Sequence, residues 1–131
     1  MHLATKLRRR LAKEEGGFTL IELLVVLVII GILLAIAVPS YLGFKDRANK
    51  RAAQSNVREA IPSAEAFYSD NNTYATMSFA SLQAIDSGID ANLTVGNHSL
   101  GGYCLSDTVG GKKAQVHGPG GKVTMATPAG C

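Results

Sequence analysis

From Phe18 to Val38 the chain reads FTLIELLVVLVIIGILLAIAV, 21 residues with one charge, Glu22. As a helix this stretch would extend about 32 Å, against a bilayer hydrocarbon core of roughly 30 Å. A helix packed on a soluble core would carry a polar face, and none is visible here. Beyond Pro39 the pattern turns amphipathic. Phe44, Ala48, Ala52, Val57, Ile61, Ala64 and Phe67/Tyr68 recur every three to five positions, with Lys45, Asp46, Arg47, Lys50, Arg51, Arg58 and Glu59 on other faces. The two halves read as one helix from Phe18 to about Ser69, roughly 78 Å long. No domain of this size covers such a rod, so its outer half should pack on a head while its inner half needs lipid or other copies of the chain. Pro62 disfavours helix at Ile61 and predicts a kink or brief break there. Asp70-Asn71-Asn72 reads as a stop, because Asn tolerates left-handed backbone.

The period changes towards the C-terminal end. Ser78 to Ile85 reads as a short helix with Phe79, Leu82 and Ile85 inward, and Asn92 to Asn97 as a short strand or part of a loop. After Gly101, short β runs at Tyr103–Val109, Lys113–His117 and Lys122–Thr127 are separated by Gly110-Gly111 and Gly118-Pro119-Gly120-Gly121. Those separators have turn chemistry, so an antiparallel meander follows. The class is α+β, a long helix against a small sheet.

Charge adds an orientation. The formal net charge of the 131 residues is +3. Lys6, Arg8, Arg9, Arg10 and Lys13 outweigh Glu14 and Glu15 by that same amount, so the chain after Gly17 is neutral. The basic balance therefore speaks for a cytoplasmic flank rather than a nucleic-acid-binding domain. By the positive-inside rule, Met1–Gly17 stays in the cytoplasm and everything after Tyr41 lies outside. An ordinary secretory signal fits poorly: the apolar run is too long, and Pro39-Ser40-Tyr41-Leu42-Gly43-Phe44 offers no small-residue cleavage site.

Glu22 is the least expected residue of the run. A carboxylate deep in a bilayer costs about 2.5–3.5 kcal/mol on insertion scales. No basic residue lies within helical reach inside the run. Either Glu22 sits near the interface and snorkels, or it pairs with a positive charge from another chain. An α-amine at Phe18, freed by proteolysis, would be such a charge.

The stretch Glu14-Glu15-Gly16-Gly17-Phe18-Thr19-Leu20-Ile21-Glu22-Leu23-Leu24-Val25-Val26 resembles the signal peptide of type IV prepilins and the related pseudopilins. The likeness is close from Lys13 to about Ser40 and looser to Tyr74 and the C-terminal cysteine. It implies a type IV pilin-like fold and a leader, residues 1–17, removed by a prepilin peptidase that also acts as N-methyltransferase. It further implies cleavage between Gly17 and Phe18, methylation of the new N-terminus at Phe18, and neutralisation of a neighbour's N-terminal amine by Glu22. Gly31 and Pro39 match the positions that bracket the part of the helix able to unwind in filaments. Gly31 lowers helix propensity by about 1 kcal/mol and Pro39 lacks a backbone donor, although Gly31 as a close-packing position stays open. The implied layout is a transmembrane and assembly helix over 18–40, an amphipathic half over 41–69, a connecting region over 70–101 and a β-sheet with a C-terminal disulfide loop over 102–131. The implied partners are identical or homologous pilin subunits, the processing peptidase, an inner-membrane assembly platform, and the lipid bilayer before assembly into a cell-surface pilus. Within the family the alternative is a minor pilin or a pseudopilin of a type II secretion or DNA-uptake system. Outside it, the alternative is a membrane-tethered module that never polymerises.

Cys104 and Cys131 are the only cysteines, on the side of the membrane where disulfides persist. A bond between them would staple a head with a thin core, and it resembles the C-terminal disulfide loop of many pilins, a feature most major pseudopilins lack. With no C-x-x-C and no paired histidines, a metal is poorly supported. His98 and His117 stand isolated in Gly-rich surroundings, and Gly118–Lys122 lacks the spacing of a phosphate loop. No catalytic constellation and no cofactor site is expected. Lys112, Lys113, His117 and Lys122 read either as solvated turn residues or as a small patch for DNA phosphates. Lys45 to Arg51 read either as a solvated face or as contacts to anionic phospholipid headgroups.

Overall fold

The structure is a computed structural model that describes residues 17–96, 98–126 and 131. The basic leader up to Gly16, Asn97 and Thr127 lie outside the described residues. The elements are helix α1 (Leu20–Asn71), helix α2 (Phe79–Ile85) and strands β1 (Thr94–Gly96), β2 (Tyr103–Val109), β3 (Lys112–Gly118) and β4 (Thr124–Met125). The chain divides into two compact units, Met1–Tyr41 and Leu42–Cys131.

In the first unit the start of α1 presents its apolar side chains to the surroundings on every side: the large ones from Leu20 to Val38 are 45–83% exposed. This helix is long and apolar enough to cross a membrane. The long helix follows the reading of the sequence, but the break at Pro62 does not occur, and the helix is unbroken through Gly31, Pro39 and Pro62. Pro62 removes one amide donor, yet Ala60, Ser63 and Ala64 on either side are buried, and their packing outweighs the local preference. At the other end Asn72, at φ 56°, donates its amide to the Tyr68 carbonyl, so the left-handed stop falls in the expected Asn pair.

In the second unit four strands form an antiparallel meander in the order β1-β2-β3-β4. Ala53, Val57, Ala60, Ala64 and Phe67 form the buried stripe of α1. Their alternate spacing of four and three keeps them on one face. Three of the five are alanines, which lets the sheet approach the helix backbone. Phe44 and Ala48, expected on this face, are exposed instead. The stripe meets Tyr103, Leu105, Ala114 and Val116 of the sheet, together with Tyr74, Met77, Leu82, Ile89 and Leu93 from the connecting segments. Phe79 packs against this core and Leu82 is buried in it, but Ile85 is 42% exposed because α2 ends there and the chain turns away at Asp86. Ser78 caps α2 through a capping box with Ser81. The connecting region thus contributes a strand, β1, to the sheet edge.

Strand alternation gives the sheet two characters. Tyr103 and Asp107 face α1: the Tyr103 hydroxyl donates to Glu65 Oε1 at 2.9 Å, and Asn56 Nδ2 donates to Asp107 Oδ2 at 2.9 Å. Glu65 also accepts from the Tyr74 hydroxyl at 2.9 Å. Burial, then the hydrogen bond to Glu65, pushes the Tyr74 phenol up to about 12 and raises that of Tyr103 as well. On the opposite face Cys104 is bonded to Cys131, with Cα atoms 5.8 Å apart, and the Cys131 amide donates to Gln115 Oε1 at 3.2 Å. That Cα separation lies within the ordinary disulfide range.

Candidate functional site

The site the sequence singles out is the start of α1. Gly17, Phe18 and Thr19 precede the helix in irregular backbone, and Phe18 is 83% exposed. The Gly17–Phe18 junction is thus uncovered. Thr19 and Glu22 then close a reciprocal pair: the Thr19 amide donates to Glu22 Oε2 at 3.1 Å, and the Glu22 amide donates to Thr19 Oγ1 at 3.3 Å. This is a capping box, with Thr19 at the N-cap and Glu22 three residues later. It satisfies two amides that the first turn leaves without partners and sets a carboxylate against the positive end of the helix. This partner is a neutral neighbour rather than a cation, and its signal, Thr-x-x-Glu ahead of an apolar run, is present in the sequence. Glu22 is therefore not without a partner in the single chain. Its carboxylate keeps further acceptor capacity, since two oxygens offer about four lone-pair directions.

Gly31 and Pro39 occupy the same helix without breaking it. Nothing lies within 4 Å of where a Gly31 side chain would stand, so no contact within the described residues requires glycine there. Pro39 leaves the Ala35 carbonyl without its helical donor, and next to it the Ser40 hydroxyl donates to the Ile36 carbonyl at 3.4 Å. Both positions are open to approach from outside the chain.

The charged segment after the apolar run is partly consumed within the head. Asp46 pairs with Lys112 at 3.0 Å and, more loosely, with Lys50 at 3.7 Å. The hydrogen bond from Lys112 is the main reason its carboxyl is held below the usual range. Lys112 therefore faces α1, whereas its neighbour Lys113 alternates to the other side of β3. The four-residue basic group read from the sequence is divided between the two faces of the sheet. His117 and His98 are exposed, and His117 Nε2 lies 3.8 Å from Cys104 Sγ. Among the described residues, no group of three or more His, Cys, Asp or Glu side chains is placed to hold a metal.

Residues 13–38 match the family model of the prokaryotic N-terminal methylation motif. The chain is 35% identical over 95 residues to the type IV wide pilus major component PilA4 of Thermus thermophilus, which covers 71% of this chain and 72% of that protein. It is 32% identical over 110 residues to the type II secretion system core protein G of Klebsiella pneumoniae, covering 82% of this chain and 78% of the relative. To the type IV major pilin protein PilA of Myxococcus xanthus it is 41% identical over 66 residues, half of this chain but 30% of that longer protein. The first two similarities run well beyond the methylation motif and must include part of the head. A motif alone travels between unrelated proteins, but likeness through both helix and head does not, and the chain belongs to the type IV pilin and pseudopilin family.

Proposed function

We propose that the chain is a structural subunit of a type IV pilus, made as a membrane-anchored precursor and polymerised through α1. The observation that carries this reading is the start of α1: a membrane-length apolar helix, exposed on all sides, whose single charge sits at its N-terminal cap. Such a surface is stable only in lipid or against equivalent helices, and a filament of helices supplies the second once the subunit leaves the first. The peptidase would cut between Gly17 and Phe18, and methylation of the Phe18 amine leaves its charge in place. Glu22 caps its own helix in the single chain and uses its spare acceptor capacity for the amine of a neighbour in the fibre. Before assembly the basic leader would lie in the cytoplasm and the head outside.

A pseudopilin of a type II secretion system is the second reading, favoured by the similarity to core protein G over most of both chains. The Cys104–Cys131 loop favours the pilin. Abundance in fibres sheared from cells separates the two, since a pilus subunit dominates that material.

The test has two parts. Mass analysis of sheared protein should give a chain beginning at methylated Phe18; material beginning at Met1 would refute the assigned processing. Glu22→Ala should abolish or strongly reduce fibres while the protein still inserts and is cleaved. Normal fibres from that variant would remove the amine-pairing role.

A further inference from the structure

We propose that the cleft formed by Phe44, Arg47, Ala48 and Arg51 on α1 is a binding site for the headgroup of an anionic phospholipid in the outer leaflet of the membrane that anchors the chain. The cleft has a volume of about 350 Å³ and is lined by those four residues alone. Positions 44, 47, 48 and 51 are related by three- and four-residue steps and so share one helix face. The Arg47 guanidinium lies 5.1 Å from the centre of the Phe44 ring, which holds it over an apolar floor. Ala48, small and exposed, leaves the space between the two arginines open.

Charge complementarity selects the occupant. Asp46, the acidic residue of this segment, is engaged by Lys112 and Lys50. Among the described residues no carboxylate lies within ion-pair distance of Arg47 or Arg51, and both are exposed. Two guanidinium groups facing one small cleft are suited to a phosphate, which accepts hydrogen bonds from both in their fork geometry. Position selects the source of the phosphate. The stretch of α1 from Glu22 to Phe44 is about 33 Å long, close to a hydrocarbon core of roughly 30 Å. With Glu22 near one interface, Phe44, 67% exposed, and Tyr41 fall in the opposite aromatic belt, and Arg47 and Arg51 follow in the headgroup layer. The aromatic floor meets the acyl–glycerol boundary while the arginines meet the phosphate. Such a contact would hold the unassembled subunit at a fixed depth, and it must be given up when the subunit leaves the bilayer.

This inference rests on the membrane-anchored stage proposed above. The test uses the full chain in nanodiscs of phosphatidylcholine with a minority of phosphatidylglycerol, with Arg8, Arg9 and Arg10 changed to Gln so that the leader does not collect the anionic lipid. Native mass spectrometry of the released protein should show phosphatidylglycerol retained in preference to phosphatidylcholine. Arg47→Gln with Arg51→Gln should reduce that preference about five-fold per arginine, roughly twenty-five-fold together. Lys45→Gln with Lys50→Gln, an equal charge change outside the cleft, should leave most of it. Equal loss in both double variants would mean a diffuse charge effect and would overturn the site, as would unchanged retention in the arginine variant. A photo-crosslinker at position 48, which lines the cleft without contributing charge, should label phospholipid in intact membranes; capture of a second copy of the chain instead would overturn the lipid assignment. Failure of the chain to enter the nanodiscs would defeat the anchored reading itself.

Discussion

At the scale of single residues, three carboxylates do three different jobs. Glu22 closes a helix cap, and Glu65 accepts two tyrosine hydroxyls that tie α1 to β2 and to the segment after the helix. Asp107 is the anomalous one. It is 1% exposed, receives one hydrogen bond from Asn56, and its Oδ1 has no partner among the described residues. Burial raises its pKa; the Asn56 hydrogen bond opposes the rise and the negative charge of Asp90 adds to it. A carboxyl with a raised native pKa binds a proton more tightly in the folded than in the unfolded chain. Its contribution is therefore fully present below the unfolded value near 3.8 and is lost as pH rises through the folded value. Asp107→Asn keeps the acceptor for Asn56 and replaces the unpartnered oxygen with a donor beside Asp90. It should stabilise the chain at neutral pH by about 1 kcal/mol and flatten this part of the pH profile. Denaturant titrations of both proteins at several pH values check this; a destabilised variant with an unchanged slope would show that the carboxylate is satisfied after all.

At the scale of elements, the hairpin of β2 and β3 is set by two glycines. Val109 pairs with Lys112, leaving Gly110 and Gly111 as a two-residue turn at φ 54° and 77°. Positive φ at both central residues matches the turn whose twist suits adjoining strands. The two positions differ in surroundings. A side chain on Gly110 would collide with Asn49 of α1, while nothing stands within 4 Å of Gly111. Gly111→Ala should cost about 1 kcal/mol, the left-handed strain alone. Gly110→Ala should cost more, and Asn49→Ala in the Gly110→Ala background should recover the excess. Denaturation of the detergent-solubilised chain reads all three, and equal losses for the two glycine variants would refute the docking of this turn on α1. The same docking brings Lys112 to Asp46, so the turn positions an ion pair as well as a bend.

At the scale of the whole molecule, the disulfide acts on the head, the part of the chain that the proposed orientation places outside the membrane. It joins positions 27 residues apart and fastens Cys131 to the sheet face opposite α1. Opening it through Cys104→Ser with Cys131→Ser should remove about 3–4 kcal/mol in the chain-entropy model. Reductant should lower the melting temperature of the parent and leave that of the double serine variant unchanged. Equal sensitivity of both proteins to reductant would show that the bond carries no stability. The start of α1 has no such internal support; its stability belongs to whatever surrounds it, lipid first and neighbouring helices later in the proposed assembly.

Much of this molecule is local and was therefore readable. Helix length, the exposed apolar run, the Asn stop, the Gly–Gly turn and the Thr-x-x-Glu cap each depend on residues a few positions apart, and their physics is complete within that window. The chain by itself determined a long helix with a membrane-length start, a small β head and the N-terminal methylation motif over residues 13–38. Tertiary structure alone decided which face of the outer helix is buried, because Ala53, Val57, Ala60, Ala64 and Phe67 win over Phe44 and Ala48 only where the sheet lies. It also decided that Pro62 stays helical, that Ile85 faces out, that β1 joins the sheet and that Asp46 takes Lys112 while Arg47 and Arg51 keep no carboxylate within ion-pair distance among the described residues. Those outcomes depend on which distant segments come together, and periodicity along one chain carries no term for that.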